Sequence, residues 1–255
     1  MKVADEIAGY RERGFTQEQA EVIVLMRVAA GVIFRDFPDS FLLYGGATLV
    51  LFHQGPRHSA DLDLDSLSED PPPLETIRET LINGLQSIAE ALSQGPLEIG
   101  ETLSVKNRNG NDLFTVDINR FGAVIQSEIE KHSVSLDEGD IVEIKAASRN
   151  LLLFHKSECF LLRKKVKARD AFDIYDLTTL SGVVLSQHLK DHLTDTLMSY
   201  EIEAEGILER VKQIDEKRCK GELGSYLPRE LFEALAKEGF KPLRDALLDL
   251  YKDWL

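Results

Sequence analysis

The stretch that most constrains this chain is Asp61-Leu62-Asp63-Leu64-Asp65. Strand side chains alternate between faces, so all three carboxylates project one way and both leucines enter a core on the other. Like charges at alternate positions repel, and a strand that keeps them needs a countercharge, most simply a divalent cation. Two other readings compete. An EF-hand loop also starts with three alternating acids but requires Gly at its sixth position and Glu at its twelfth; Ser66 and Pro72 stand there, and that reading fails. The other is an edge strand with a solvated acidic face, which suits Asp65 better than Asp61 or Asp63.

What precedes this strand sharpens it. Phe41–Tyr44 reads as an apolar strand, Gly45-Gly46 as a turn, Ala47 to His53 as a short helix, and Gly55-Pro56 as the turn into the aspartates. Backbone amides at a helix N-terminus can hold phosphate oxygens, and glycine lets a phosphate approach closely. Thr48 is placed to add a hydroxyl. A Gly-Gly turn is more often purely structural; the nearby carboxylates, able to hold the Mg²⁺ that neutralises the same phosphate, give it weight. A further carboxylate can come from the strand around Leu113–Asn119. There Asp117 sits mid-strand between Val116 and Ile118, where aspartate is disfavoured without a reason; pairing with a Lys or Arg of a neighbouring strand is the equal alternative.

The remaining chain divides in two. Residues 1–36 read as helical, with Thr16 and Gln19 forming a capping box, and Pro38 ends the run. Leu74–Leu92 has a helical apolar period. Leu97–Lys106 and Asp112–Phe121 read as strands joined by an Asn-Gly hairpin turn, and Ile141–Ala146 as a third, with a short strand near His132–Leu136. From Leu151 the strand signals stop. Leu151–Val166, Ala171–Ser181, Ser186–Val211 and Pro228–Trp254 read as helical, Lys212–Gly224 as a loop. The expected class is therefore α+β: a mixed α/β half over residues 1–147, then a helical half over 148–255 that completes the nucleotide and acceptor cleft.

A formal net charge of −14 over 255 residues argues against a general nucleic-acid coat or an anionic-membrane binder. Against that background, Lys156, Arg163, Lys164, Lys165, Lys167 and Arg169 are out of character. On one continuous helix Lys156, Arg163 and Lys167 would share a face, suited to a triphosphate or RNA backbone, although a charge run is more often a solvated face. Asp170 has the default reading of an N-cap, while Asp173 and Asp176 can pair with the preceding cations. Two cysteines 60 residues apart, Cys159 and Cys219, suggest reduced thiols. With no signal peptide and no long apolar run, a cytoplasmic protein without membrane contact is expected.

YGGATLVLFH, RHSADLDL and the later lysine, arginine and ARDAFDIYDL combination together resemble the nucleotidyltransferase AbiEii/AbiGii toxin family, a branch of the DNA polymerase β-like nucleotidyltransferases. The resemblance spans roughly residues 38–180. It implies a mixed-sheet polymerase β-like core and a toxin of a toxin–antitoxin or phage-defence system, with a cognate antitoxin. The implied reaction transfers a nucleoside monophosphate from an NTP to an acceptor such as tRNA or another RNA. By position, Gly45 and Gly46 would hold the triphosphate, Arg57 and Ser59 line its site, and Asp61 and Asp63 bind metal. Lys156 would reach the nucleotide, and Asp170 would be the acid of the Arg-Asp motif. Two Mg²⁺ ions are implied, with Asp117 completing the second, while Lys156 and Arg163 neutralise charge on the triphosphate. The order Ala47-Thr48, where the family often has Thr-Ala, and the Ser-Glu-Cys-Phe after Lys156 depart from its pattern. A nucleotide-binding module acting through a partner protein, or a small-molecule nucleotidyltransferase, are the alternatives.

Overall fold

The computed structural model describes residues 3–92, 94–119, 126–137 and 140–255. The chain forms two compact units, residues 1–147 and 148–255.

The first unit opens with α1 (Val3–Glu12) and α2 (Gln17–Asp36). The anticipated capping box is present: Gln19 N donates to Thr16 Oγ1 at 3.2 Å, and Thr16 N to Gln19 Oε1 at 3.0 Å. Such a cap contributes on the order of 1 kcal/mol. Most of α2 is buried, from Ala20 through Phe34, so this helix is a core element with apolar residues on nearly all sides. Then come β1 (Phe41–Tyr44), α3 (Gly45–Phe52), β2 (Asp61–Ser66), α4 (Leu74–Ala91), β3 (Glu98–Ile99), β4 (Ser104–Lys106), β5 (Asp112–Asn119), β6 (Ile129–Asp137) and β7 (Asp140–Ala147).

These strands form one mixed sheet in the order β3-β4-β5-β2-β1-β7-β6. β2 runs antiparallel to β1 and parallel to β5, and β1 is parallel to β7. The aspartate strand is thus the central one, which removes the edge-strand reading. Leu62 and Leu64 are fully buried in the cluster that contains α2 and α4 side chains, so the alternation sends the aspartates to the other face. Three details differ from expectation. α3 begins at Gly45, so both glycines lie in its first turn and not in a preceding loop. The run 97–106 is two short strands with a turn at Leu103, which adopts a positive φ of 56°. The segment near His132 is a nine-residue strand. Residues 1–2 of the expected first helix and residues 120–121 of the expected Asp112–Phe121 strand lie outside the described residues.

The second unit is helical throughout: α5 (Arg149–Leu162), α6 (Ala168–Tyr175) with a π-helical continuation at Asp176–Leu180, α7 (Gln187–Ser199), α8 (Ala204–Lys212), α9 (Glu216–Leu223), α10 (Arg229–Lys237) and α11 (Lys241–Leu250). Phe160, Phe172, Leu189, Leu193 and Tyr251 are fully buried in it. Tyr251 donates its hydroxyl to Ser157 O at 3.0 Å, satisfying the polar end of a ring with no exposure. The expected continuous helix 151–166 stops at Leu162, with Arg163 in an extended cap conformation. Lys164 and Lys165 therefore stand on an exposed connection, and Lys167 is the N-cap of α6; the three-cation helix face does not form. The expected loop 212–224 contains α9, started by Asp215, whose carboxylate accepts from Arg218 N at 2.7 Å. The expected helix 186–211 is two helices, α7 and α8. Among the described residues no helix is long and apolar enough to cross a membrane.

Candidate functional site

The sheet register collects the acidic residues. Tyr44 of β1 lies opposite Asp63, and on the other side Asp61 pairs with Thr115, Asp63 with Asp117, and Asp65 with Asn119. Residues directly across a ladder project from the same face, so Asp61, Asp63 and Asp117 stand at neighbouring positions on one face of the central sheet. Thr115 Oγ1 donates to Asp61 Oδ1 at 3.0 Å, which orients that carboxylate. The Asp117 carboxyl is pushed above the usual carboxylate range by burial and then by the Asp61 charge. That is the sign expected when like charges share a site without a cation.

Asp65 is different. It is 3% exposed, and Asn119 Nδ2, on the strand beyond it, donates to Tyr44 Oη at 2.7 Å. Since β2 lies between β1 and β5, and Tyr44 lies opposite Asp63 while Asn119 lies opposite Asp65, this bond spans the strand between those two positions. Neither Thr115 nor the Tyr44–Asn119 pair was singled out from sequence. The shared face of Thr115 and Asp117 was the available signal for the first; the second depends on a strand order that spacing does not reveal.

The α3 N-terminus meets the same patch. Gly45 has φ +76°, and a Cβ there would fall 2.7 Å from Asp63 Cγ and closer still to Oδ2, so only glycine fits. A Cβ on Gly46 would lie 2.5 Å from Arg57 Nη2 and 2.8 Å from Ser59 Oγ. Arg57 and Ser59 are both buried; Arg57 Nη1 donates to His58 O at 2.8 Å and Ser59 Oγ to Asp61 O at 3.4 Å. A guanidinium, a hydroxyl and a glycine-lined helix N-terminus thus come together beside the carboxylates. His58, between Arg57 and Ser59, has its imidazole pushed down to about 4 by burial and then by the Arg57 charge, against the opposing effect of Asp61. Thr48, two residues beyond Gly46 along α3, is fully buried, and its Oγ1 has no hydrogen-bond partner among the described residues.

The donor chemistry of the patch fits a hard divalent cation. Carboxylate oxygens are Mg²⁺ ligands, three carboxylates share this face of the sheet, and Gly45 leaves the space around Asp63 clear.

In the helical unit, Lys156 Nζ lies 2.7 Å from Asp173 Oδ2 and 3.6 Å from Asp170 Oδ1, and Arg163 Nε is 3.2 Å from Asp170 Oδ2. Asp170 is the third residue of α6 and is 3% exposed. It is therefore not an N-cap but the shared acid of two cations. Lys156 is 9% exposed; its charge is held by two acids a helix turn apart. Asp173 is the residue that most closely fixes it.

Residues 28–253 match the sequence model of a family described as nucleotidyl transferase AbiEii toxin, type IV TA system. No curated protein matches the sequence. Among solved structures, the chain is similar to MenT4, a nucleotidyltransferase toxin of Mycobacterium tuberculosis, at 13% identity over 95% of this chain and 88% of that one, TM-score 0.49. It is similar to a candidate nucleotidyltransferase of H. pylori at 18% identity over 93% and 98%, TM-score 0.48. A nucleotidyltransferase-like antigenic protein of Paracoccidioides brasiliensis matches at 15% identity over 76% and 93%, TM-score 0.42.

Proposed function

This chain belongs to the AbiEii nucleotidyltransferase toxin family of type IV toxin–antitoxin systems, and from that premise we propose that it transfers a nucleoside monophosphate from an NTP to RNA, such as tRNA, in a Mg²⁺-dependent reaction. Membership brings a nucleotide substrate and a cognate antitoxin; the metal, the acceptor and the roles of individual residues are our reading. The observation that carries it is the placement of Asp61, Asp63 and Asp117 on one face of the central sheet beside the Gly45-Gly46 end of α3.

In this reading Asp61, Asp63 and Asp117 would hold Mg²⁺. Bound there, Mg²⁺ would supply charge neutralisation at the phosphates and a lowered pKa for the attacking hydroxyl. The chain's own groups do the rest. The amides at the start of α3 receive phosphate oxygens, favoured by the positive end of the helix. Arg57 and Ser59 add charge-assisted and neutral hydrogen bonds to the same group. Thr115 keeps Asp61 in one orientation, and Gly45 gives Asp63 room. An acceptor hydroxyl oxygen attacks the α-phosphorus, and pyrophosphate leaves. Protein groups here act by positioning and electrostatics, which dominate phosphoryl and nucleotidyl transfer. Lys156 and Asp170 retain the roles that the family resemblance suggests: a cation neutralising triphosphate charge, and the acid that holds it. Arg163 is assigned with them.

An RNA acceptor is favoured by the cationic run Arg163, Lys164 and Lys165, all exposed between α5 and α6 in a chain of net charge −14. The test supplies each α-phosphate-labelled NTP with Mg²⁺ and total RNA, and follows label into RNA, protein and small molecules. Label in RNA alone is expected. Label entering only small molecules would contradict the RNA acceptor, and nucleotide binding with no transfer to anything would make the chain a binding module.

A further inference from the structure

On the first unit, His53, Glu130 and His132 each offer a ligand atom, and these atoms all lie within 4.8 Å of one another. His53 caps the C-terminal end of α3, and Glu130 and His132 are two apart on β6 and so share a face. Three features make this more than proximity. The buried His53 ring has Nε2 3.0 Å from Ala147 O. That contact to a backbone carbonyl fixes the ring, as is common for metal-ligating histidines. The His132 ring is stacked on Phe52, centroids 4.5 Å apart and planes within 15°, which holds its plane without using a ring nitrogen. His132 Nε2 is 3.4 Å from Glu130 Oε2. The two imidazoles and the carboxylate therefore converge from two elements with their ring planes preset.

We propose that His53, Glu130 and His132 form a site for a first-row transition ion of the Zn²⁺ type. Two imidazoles and one carboxylate are a known three-ligand set for Zn²⁺, with a fourth position left to water. Imidazole nitrogens select such ions over Mg²⁺, which suits the all-oxygen patch at Asp61 and Asp63. The Glu130 side chain is 45% exposed and that of His132 24%, so ion and water can reach the site. Occupied, it ties the C-terminal end of α3 to β6, and α3 is the helix whose other end carries Gly45 and Gly46. The ion is a structural clamp on that helix and stands apart from the transfer reaction.

The test uses the full chain, freed of metal with a chelator and dialysed, then titrated with Zn²⁺ and with Co²⁺. One equivalent is expected to bind, with a Co²⁺ absorption spectrum of low-coordinate type and a higher Tm. Glu130→Gln should weaken Zn²⁺ by at least about tenfold, and His132→Ala should abolish both binding and the Tm rise. An Asp61→Asn/Asp63→Asn variant should still bind one equivalent. If His132→Ala does not fold, the exposed Glu130→Gln decides. No stoichiometric Zn²⁺ on the parent chain, equal Zn²⁺ affinity in Glu130→Gln, or loss of the Zn²⁺ equivalent in the aspartate variant would each overturn the site.

Discussion

Gly45 and Asp63 occupy one another's space: the Asp63 carboxylate lies where a side chain on Gly45 would begin, with Cγ 2.7 Å from that Cβ position. The antiparallel pairing of Tyr44 with Asp63 brings them together. The turn that starts α3 and the aspartate strand are thus one fitted part, and a change at either residue acts on both.

Gly45→Ala should accordingly be a catalytic lesion more than a stability lesion. Left-handed backbone costs a non-glycine residue about 1–2 kcal/mol, a modest drop in Tm. Displacing Asp63 by an ångström or so should lower kcat/KM on the order of 100-fold. Steady-state transfer kinetics beside a melting curve separate the two; a full loss of folding, or unchanged kcat/KM, would contradict the geometry.

Arg57→Ala should raise the KM for NTP more than it lowers kcat, because a buried guanidinium beside Gly46 is assigned to ground-state phosphate binding. Removal of one charge-assisted contact corresponds to roughly 1.5–3 kcal/mol, or about 10- to 150-fold in NTP affinity. Measuring NTP binding by calorimetry checks this directly, and Arg57→Lys should recover only part of it.

Asp117 yields a pH prediction. Its carboxyl is raised by burial and by Asp61, so without metal the folded state holds this proton more tightly than the unfolded chain does. Stability conferred by that proton is lost as pH rises from the usual carboxylate range through the raised value. Metal-free Asp117→Asn should therefore melt higher than the parent at neutral pH, with the advantage fading as pH falls toward about 4. Added Mg²⁺ should stabilise the parent and narrow the gap. A lower Tm for metal-free Asp117→Asn at neutral pH would contradict the like-charge account.

His155 titrates in the opposite sense. Burial, and then the neighbouring Lys156 charge, push its imidazole down to about 4. The unfolded chain binds this proton near pH 6.5 and the folded unit does not, so stability falls as pH drops through that window. His155→Gln should flatten the dependence of Tm on pH between about 6.5 and 4; an unchanged slope would contradict the assignment.

In the helical unit, Asp173→Asn removes the acid that lies 2.7 Å from the largely buried Lys156 ammonium and should destabilise by about 3–5 kcal/mol. The apolar pair Lys156→Met/Asp173→Leu should restore much of that loss while leaving transfer impaired. Recovery of both stability and full activity would remove Lys156 from the nucleotide chemistry.

How much of this was legible beforehand follows from range. Asp61, Asp63, Leu62 and Leu64 were readable because a strand's period of two acts over five residues, and Thr16 with Gln19 because a capping box is equally local. The fit of Gly45 to Asp63, the orientation of Asp61 by Thr115 and the Tyr44–Asn119 bond across β2 depend on strand order, which no local spacing encodes. Lys167 does not join the expected helix face because the helix ends at Leu162, an end that the local charge spacing does not show. The α9 helix was missed because its charges resemble a loop, although Asp215 before Glu216 was an available N-cap signal.

The measurement closest to the central claim is the rate of label transfer from α-phosphate-labelled NTP to RNA by the parent chain and by Asp61→Asn/Asp63→Asn, compared at equal Tm and equal far-ultraviolet dichroism. If these carboxylates hold the ion at the transfer centre, the double variant stays folded and its rate falls to background at every Mg²⁺ concentration. Transfer by the folded double variant at the parent's rate would contradict that claim.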